Sequence, residues 1–178
     1  MVSLSTIINA FWLIAPAYAS NAFPPLLKGT HPIDFRKHLF GNRLLGDGKT
    51  VEGTIGGILF GLLIGLLLLL FQRDVAMLLS KYHIVLFHHN LITISILSTC
   101  AIAGDMIGSF IKRRLSIPRG KSVPLLDQWD FLIFSLFILS FYNPVSSEIV
   151  IFLLIVTPIL HLLANLIAHL FKIKQVPW

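Results

Sequence analysis

GDMIGSFIKRRLSIPRGKSVPLLDQWD, residues 104–130, sets three carboxylates (Asp105, Asp127, Asp130) and five cations (Lys112, Arg113, Arg114, Arg119, Lys121) between two segments that are almost purely apolar. An ionisable group in a membrane-spanning helix costs about 2.5–3.5 kcal/mol even on lenient scales, so it persists where it faces a polar cavity or a partner. The stretch therefore reads as the end of one membrane helix, a basic loop and the start of the next helix, with a functional site at the membrane surface. Composition agrees. Of 178 residues 56% are hydrophobic and only 12% charged, and the mean hydropathy is +0.85, a balance foreign to a soluble domain.

Allowing about 20 apolar residues per crossing, the chain reads as an all-α integral membrane protein. It forms a single polytopic domain over 1–178, with spans at about 3–22, 54–71, 91–115, 128–142 and 147–171 and polar loops at about 23–53 and 113–127. Val75 to Phe87 is short and broken by Lys81 and His83, and is expected to form an external or interfacial helix. With the N-terminus outside, twelve of the 14 Lys and Arg residues fall on the cytoplasmic side and only Arg73 and Lys81 outside, as the positive-inside rule requires. The C-terminus is then cytoplasmic. The first positive charge, Lys28, follows the first apolar stretch, so that stretch is expected to remain as a helix rather than be cleaved as a signal peptide. The single Cys100 excludes a disulfide framework. The net charge of +6 sits in short juxtamembrane loops without aromatic platforms, which speaks against nucleic acid and for anionic lipid and anionic substrate.

Asp105, Gly108, Ser109 and Lys112 share one face of a helix, with the carboxylate roughly 10 Å below the lysine. Asp127 and Asp130, three apart, share a face of the following helix; ordinary helix-start chemistry is the competing explanation for both. If Asp105, Asp127 and Asp130 converge they make a divalent-cation site, and Mg²⁺ is the natural occupant because it takes one or two carboxylates and completes its shell with water and phosphate. The other polar loop, GNRLLGDGKTVEGTIGG (41–57), is not a Walker A motif, since Arg43 stands where a glycine is needed. Its close glycines still admit an anion to the backbone, and Lys49 with Thr50 can bind phosphate oxygens or a nucleotide. Gly53, Gly57, Gly61 and Gly65 recur every four residues; from Gly57 onward this reads as a helix-packing face, while 49–53 reads as functional. His161, Asn165 and His169 form one further polar stripe, which interhelical hydrogen bonding accounts for.

KTVEGTIGG (49–57), GDMIGSFIKRR (104–114) and LLDQWD (125–130) together resemble the signature of the CDP-diglyceride synthases, the phosphatidate cytidylyltransferases. The short length, the PAYASNAFP and HPIDF runs and the closing LLANLIAHLFKIKQVPW are similar to the archaeal branch of that family, the CDP-archaeol synthases. The resemblance implies that Asp105, Asp127 and Asp130 are the metal-site carboxylates and that Lys112 and Arg113 are the basic pair beside the phosphates. It places Lys49, Thr50, Glu52 and Gly53 in the first-loop element; Arg43, Ser109 and Lys121 complete the groups expected to bind substrate. The implied reaction joins CTP to a prenylated glycerol phosphate lipid, unsaturated archaetidic acid, giving CDP-archaeol and pyrophosphate at the cytoplasmic face of the cell membrane. Two departures stand out: Pro118-Arg119-Gly120-Lys121-Ser122 lacks the histidine of the bacterial pattern, and Gln128 replaces its arginine. A small transporter or cation-conducting protein using Asp105 is the alternative, although no self-similarity between halves supports it.

Overall fold

The computed structural model describes residues 2–172. Its helices are α1 (Leu4–Ala22), α2 (Pro24–Leu27), α3 (Val51–Ser80), α4 (Leu91–Arg114), α5 (Leu126–Ser140) and α6 (Ser147–Leu170). A small antiparallel hairpin, β1 (His38–Leu39) and β2 (Asn42–Arg43), lies in the loop between α2 and α3. Polar residues start the helices: the side chains of Ser3, Thr50, Asn90 and Ser146 each accept a first-turn amide of α1, α3, α4 and α6, which satisfies a donor that has no partner inside the helix.

Among the described residues three helices, α3, α4 and α6, are long and apolar enough to cross a membrane. α1 and α4 form the centre, with Ala10, Leu13, Ile14 and Ala17 packed against Leu97 and Ala101, and with Phe131, Leu132 and Leu136 of α5 closing the core. Central position explains why α1 tolerates buried Thr6, Asn9 and Ser20: each faces protein rather than lipid. α3 and α6 carry the outward apolar band, including Leu59, Leu63, Leu70, Ile151, Ile155 and Ile159.

The glycine row of α3 is a packing face, as its spacing suggested. A Cβ on Gly61 would stand 2.7 Å from the Pro16 carbonyl oxygen and 2.8 Å from Ser98 Oγ, and one on Gly65 would stand 2.7 Å from Ile94 Cβ. α1 thus meets α3 at its backbone carbonyls, and α4 meets it through the side chains of Ile94 and Ser98.

Two prolines inside helices set a second constraint. Pro16 and Pro158 have no N–H, so the carbonyls four residues earlier, on Trp12 and Leu154, lose their helical partners. Neighbouring side chains replace them: His89 Nε2 donates to the Trp12 carbonyl at 3.0 Å, and Trp129 Nε1 donates to the Leu154 carbonyl at 2.9 Å. In a membrane protein such freed groups must find a protein donor.

The region 75–87 differs from expectation. Instead of a separate external helix, α3 runs unbroken through Gln72, Arg73 and Asp74 to Ser80, and the chain turns at Lys81–His83 and returns without helix to Asn90. Nothing in QRDVAMLLS stops a helix, whereas the return segment finds better partners outside one. Asn9 takes the Phe87 amide at 2.6 Å and donates to the Val85 carbonyl at 2.9 Å, and Gln72 Oε1 takes the His89 amide at 2.6 Å. His89 is fully buried rather than interfacial, and burial pushes its imidazole below the ordinary histidine pKa, so it stays neutral with the hydrogen on the nitrogen that faces the Trp12 carbonyl. The other boundaries shift by a turn or less: α3 begins at Val51 rather than Thr54, and α5 spans 126–140 rather than 128–142.

Replacing Trp129 by Phe keeps the ring but strands the Leu154 carbonyl. The expected loss is about 1–3 kcal/mol, read as a lower thermal midpoint in detergent, while Leu70→Met on the outer face leaves the midpoint unchanged.

Candidate active site

The C-terminal ends of α1, α4 and α6 and the N-terminal ends of α3 and α5 surround one cleft of about 400 Å³. Lys49, Thr50, Gly53, Asp105, Lys112 and Asp127 line it. Lys49, the residue before the Thr50 cap of α3, donates to Asp105 Oδ2, joining the first polar loop to α4. Two turns further along α4, Lys112 Nζ donates to Asp127 Oδ1 at 2.7 Å, joining α4 to α5. All four side chains are between a sixth and about a quarter exposed, which keeps their charges reachable from the cleft but poorly screened.

Asp127 serves two purposes. Its Oδ2 accepts the amide of Val123, ahead of the helix, at 3.0 Å, and it stands in the first turn of α5, the helix-start position given as its alternative, while Oδ1 holds Lys112. Asp130 stands apart: it lines a different groove, between α4 and α5, with Gly104, Gly108, Ile133 and Phe134. It remains within electrostatic reach of Asp105, Lys49 and Asp127. Gly108 makes room for Asp130 against α4, because a Cβ there would collide with Asp130 Oδ2. Among the described residues no three His, Cys, Asp or Glu side chains gather as a metal-holding cluster; of the three carboxylates expected to converge, Asp105 and Asp127 line the cleft and Asp130 does not. Gln128, where the bacterial pattern has arginine, is buried and accepts the Leu125 amide, fixing the first turn of α5.

Several expected substrate groups are engaged in shaping the loops. Glu52 accepts from the amides of Thr30 and His31, both at 3.3 Å, and lies 2.5 Å from His31 Nδ1. Thr50 Oγ1 accepts the Gly53 amide at 3.1 Å, and the Val51 amide donates to the His31 carbonyl at 2.8 Å, so these amides at the start of α3 serve the loop. Ser109 is buried, Lys121 is exposed, and neither lines the cleft. Arg113 is turned into an adjoining pocket with Arg43 and Arg119. Arg114 is a brace: it donates to the carbonyls of Leu39, Asn42 and Arg43 and lies over the Phe110 ring at 5.1 Å.

Arg43 is the arm of a larger brace centred on Asp34, which is 5% exposed. Arg43 Nη2 and Nε donate to its two oxygens at 2.7 and 3.2 Å. The amides of Arg36, Leu45 and Gly46 donate at 3.0, 3.1 and 3.1 Å. Arg43 also reaches Asp47 at 2.8 Å. Burial alone would push the Asp34 carboxyl up, but these five donors outweigh it and hold it below the usual carboxylate range. HPIDF carried this residue without any spacing that marked its role. Residues not singled out for the site also reach the cleft: Lys28, Asn21, Asp47 and Arg119 line it, and Arg119 Nε lies 3.6 Å from where a Cβ on Gly48 would stand. A count of cations in the loop pointed to this group without telling Arg119 from Lys121.

Because Asp34 has a depressed pKa in the folded chain, its contribution is fully present above its unfolded value of 3.8 and disappears only as pH falls through the lower folded value. Asp34→Asn is expected to raise hydrogen-exchange rates of the Leu45 and Gly46 amides at neutral pH by about tenfold or more. Unchanged protection would show that the loop is held elsewhere.

The architecture is that of an α-helical membrane protein with an acid- and base-lined cleft at one end of the bundle. A family model described as CarS-like CDP-archaeol synthase matches residues 3–178, and the chain belongs to that family. It is 42% identical to the CDP-archaeol synthase of Pyrococcus abyssi over 98% of this chain and 100% of the relative. It is 41% identical to that of Methanococcus maripaludis over 98% of each. A solved structure described as an intramembrane enzyme for archaeal membrane lipids biosynthesis superposes with a TM-score of 0.72 at 37% identity, covering 88% of this chain and 92% of the other. Membership of a synthase family sets aside the alternative of a transporter built on Asp105.

Proposed function

We propose that this protein transfers a cytidylyl group from CTP to the phosphate of a 2,3-di-O-geranylgeranylglycerol lipid, giving CDP-archaeol and pyrophosphate. The observation that carries this reading, beside family membership, is the cleft in which Asp105 and Asp127 stand among Lys49, Lys112, Lys28 and Arg119. In the reaction an oxygen of the lipid phosphate attacks the α-phosphorus of CTP, and the bond from that phosphorus to the bridging oxygen of pyrophosphate breaks. The lipid phosphate is already an anion at neutral pH, so no histidine base is needed. What the protein supplies is placement and charge neutralisation.

Lys49 ends a braced loop and Lys112 a helix, so both ammonium groups are held where triphosphate oxygens would enter. Arg119 and Lys28 add positive charge at the rim. Asp105 and Asp127 fit a hard cation: they are oxygen donors in one cleft, each already holding a cationic lysine, and Mg²⁺ needs only one or two carboxylates beside phosphate oxygens and water. We assign them to Mg²⁺, with Asp130 as the third carboxylate on the strength of its closeness to both. Bound there with CTP, Mg²⁺ would neutralise charge on the phosphates during transfer. The lysines, displaced from the carboxylates, would then turn to the phosphates.

The cleft is assigned to the cytoplasmic face. Lysine and arginine residues concentrate on the loops around it, with Arg73 and Lys81 at the other end of α3, and CTP reaches that face from water. The N-terminus is then outside.

The test is pyrophosphate release by the detergent-purified protein with CTP, Mg²⁺ and the prenylated glycerol phosphate, each omitted in turn. Release is expected only with all three. Asp105→Asn and Asp127→Asn are each expected to lower kcat by about 10²–10³ in protein of unchanged helicity, and Asp130→Asn decides whether that residue belongs to the set. Release without lipid would overturn the assignment.

A further inference from the structure

The chain between α2 and α3 is exposed without a break over residues 35–41, and three of these are large and apolar: Phe35 at 75%, Leu39 at 38% and Phe40 at 87% exposure. β1 and β2 pair Leu39 with Asn42, so Phe40 and Gly41 form the turn of a two-residue hairpin. Their φ angles are +49° and +80°. Such a turn ordinarily begins with Asn, Asp or Gly, because a bulky side chain is strained in left-handed backbone. Phe35, at +47°, is strained in the same way. Two strained aromatic residues thus stand outside a loop with little cover from the rest of the chain.

The hairpin is fastened at the height where α4 leaves the bilayer. α4 has 24 residues, about 36 Å at 1.5 Å per residue, against a hydrocarbon core of about 30 Å, so a spanning α4 brings its last turn to the membrane surface. Arg114 in that turn donates to the carbonyls of Leu39, Asn42 and Arg43, and Asn42 Nδ2 donates to Ser116 Oγ at 3.3 Å. Ile107, Ile111 and Leu115 are exposed at intervals of four residues, a row that carries the apolar outer surface of α4 up to the hairpin. Charge fits the same place. Arg36 and Lys37 give their amides to Asp34 and are themselves exposed, whereas Asp34 is buried against Arg43. Exposed cations beside exposed aromatic residues match anionic headgroups lying over hydrocarbon.

We propose that this hairpin is a membrane-surface contact, in which Phe35 and Phe40 enter the interface of the bilayer that α4 crosses and Arg36 and Lys37 pair with anionic lipid headgroups. None of residues 35–41 lines the polar cleft, so these lipids are the surroundings of the protein and not its substrate. A second copy of the chain is another partner that an exposed apolar patch admits, but a two-fold contact here would set Arg36 and Lys37 against their own counterparts. Membrane contact also bears on the cleft. Arg43 on β2 holds Asp34 and Asp47, and Lys49 follows two residues after Asp47, so the bilayer surface steadies the loop that carries Lys49. Only the crossing of the bilayer by α4 is required for this, whatever the chemistry of the cleft.

Nitroxide spin labelling of the full chain in lipid vesicles tests the contact. His38→Cys in a Cys100→Ser background puts the label between the two aromatic residues and leaves both in place, while Leu63→Cys on the outer face of α3 supplies the bilayer reference. Collision of the label with oxygen, which concentrates in the bilayer, is compared with its collision with a water-soluble nickel chelate. The ratio at position 38 is expected to fall between the Leu63 value and that of free label in buffer, and to shift to the buffer value when Phe35→Ser and Phe40→Ser are combined. Adding phosphatidylglycerol to phosphatidylcholine vesicles is expected to shift it towards the bilayer value, and Arg36→Ala with Lys37→Ala to abolish that shift. A buffer value at position 38 with both Phe residues present, while the Leu63 label keeps its bilayer value, overturns the proposal. Equal ratios in the two vesicle compositions overturn the headgroup pairing. Low collision with both reagents, together with dipolar broadening between labels, overturns the membrane assignment in favour of a second copy.

Discussion

Lys49 reaches from the first polar loop to Asp105 on α4, and Lys112 reaches from two turns further along α4 to Asp127 on α5. One helix therefore offers a carboxylate to one neighbour and an ammonium to the other, and the polar end of the bundle is closed by charge rather than by apolar packing. Removing one member of a partly buried pair leaves its partner uncompensated at a cost well above the net worth of the pair. The pairs thus fix where the loops sit, and with them the cleft. They also hold both lysines in the cleft where the proposed polyphosphate and its cation would enter.

The remaining structure serves to hold α1, α3, α4 and α5 at the separations these pairs need. The glycine row of α3 lets the backbone of α1 and the side chains of Ile94 and Ser98 of α4 approach closely. Trp129 and His89 supply the hydrogen bonds that Pro158 and Pro16 remove. Trp129 has a double position in this scheme, since it lies between Asp127 and Asp130 in sequence and ties their helix to α6. On the first loop the Asp34 brace plays the equivalent part, shaping the chain on the way to Lys49.

Much of this was legible in the sequence for physical reasons. Apolar length located the five long helices, four-residue glycine spacing located the packing face, and charge density at 104–130 located the end of the bundle that holds the polar cleft. Lys49, Asp105, Lys112 and Asp127 were all singled out, because ionisable groups next to membrane spans are few, and the fold brings the four to one cleft. What could not be read was which way each side chain turns. Lys121 and Arg119 differ by two positions in a loop, and only the fold places Arg119 over Gly48. Arg43 and Glu52 stood in the right loop but are engaged in holding its shape. The return segment before Asn90 was misjudged because its order depends on Asn9 and Gln72, far away in sequence, rather than on any local propensity. Asp130 shares a helix face with Asp127 in projection, yet the crossing of α4 and α5 turns it into the neighbouring groove.

The central claim is that Asp105 and Asp127 exchange their lysine partners for a metal when nucleotide enters. Titrating Mn²⁺, as a paramagnetic stand-in for Mg²⁺, into the detergent-solubilised protein with and without CTP, followed by electron paramagnetic resonance, tests this without relying on turnover. The account predicts a protein-bound signal that requires CTP and is weakened about tenfold or more in Asp105→Asn and in Asp127→Asn. An identical titration in the unaltered protein and both variants would contradict it.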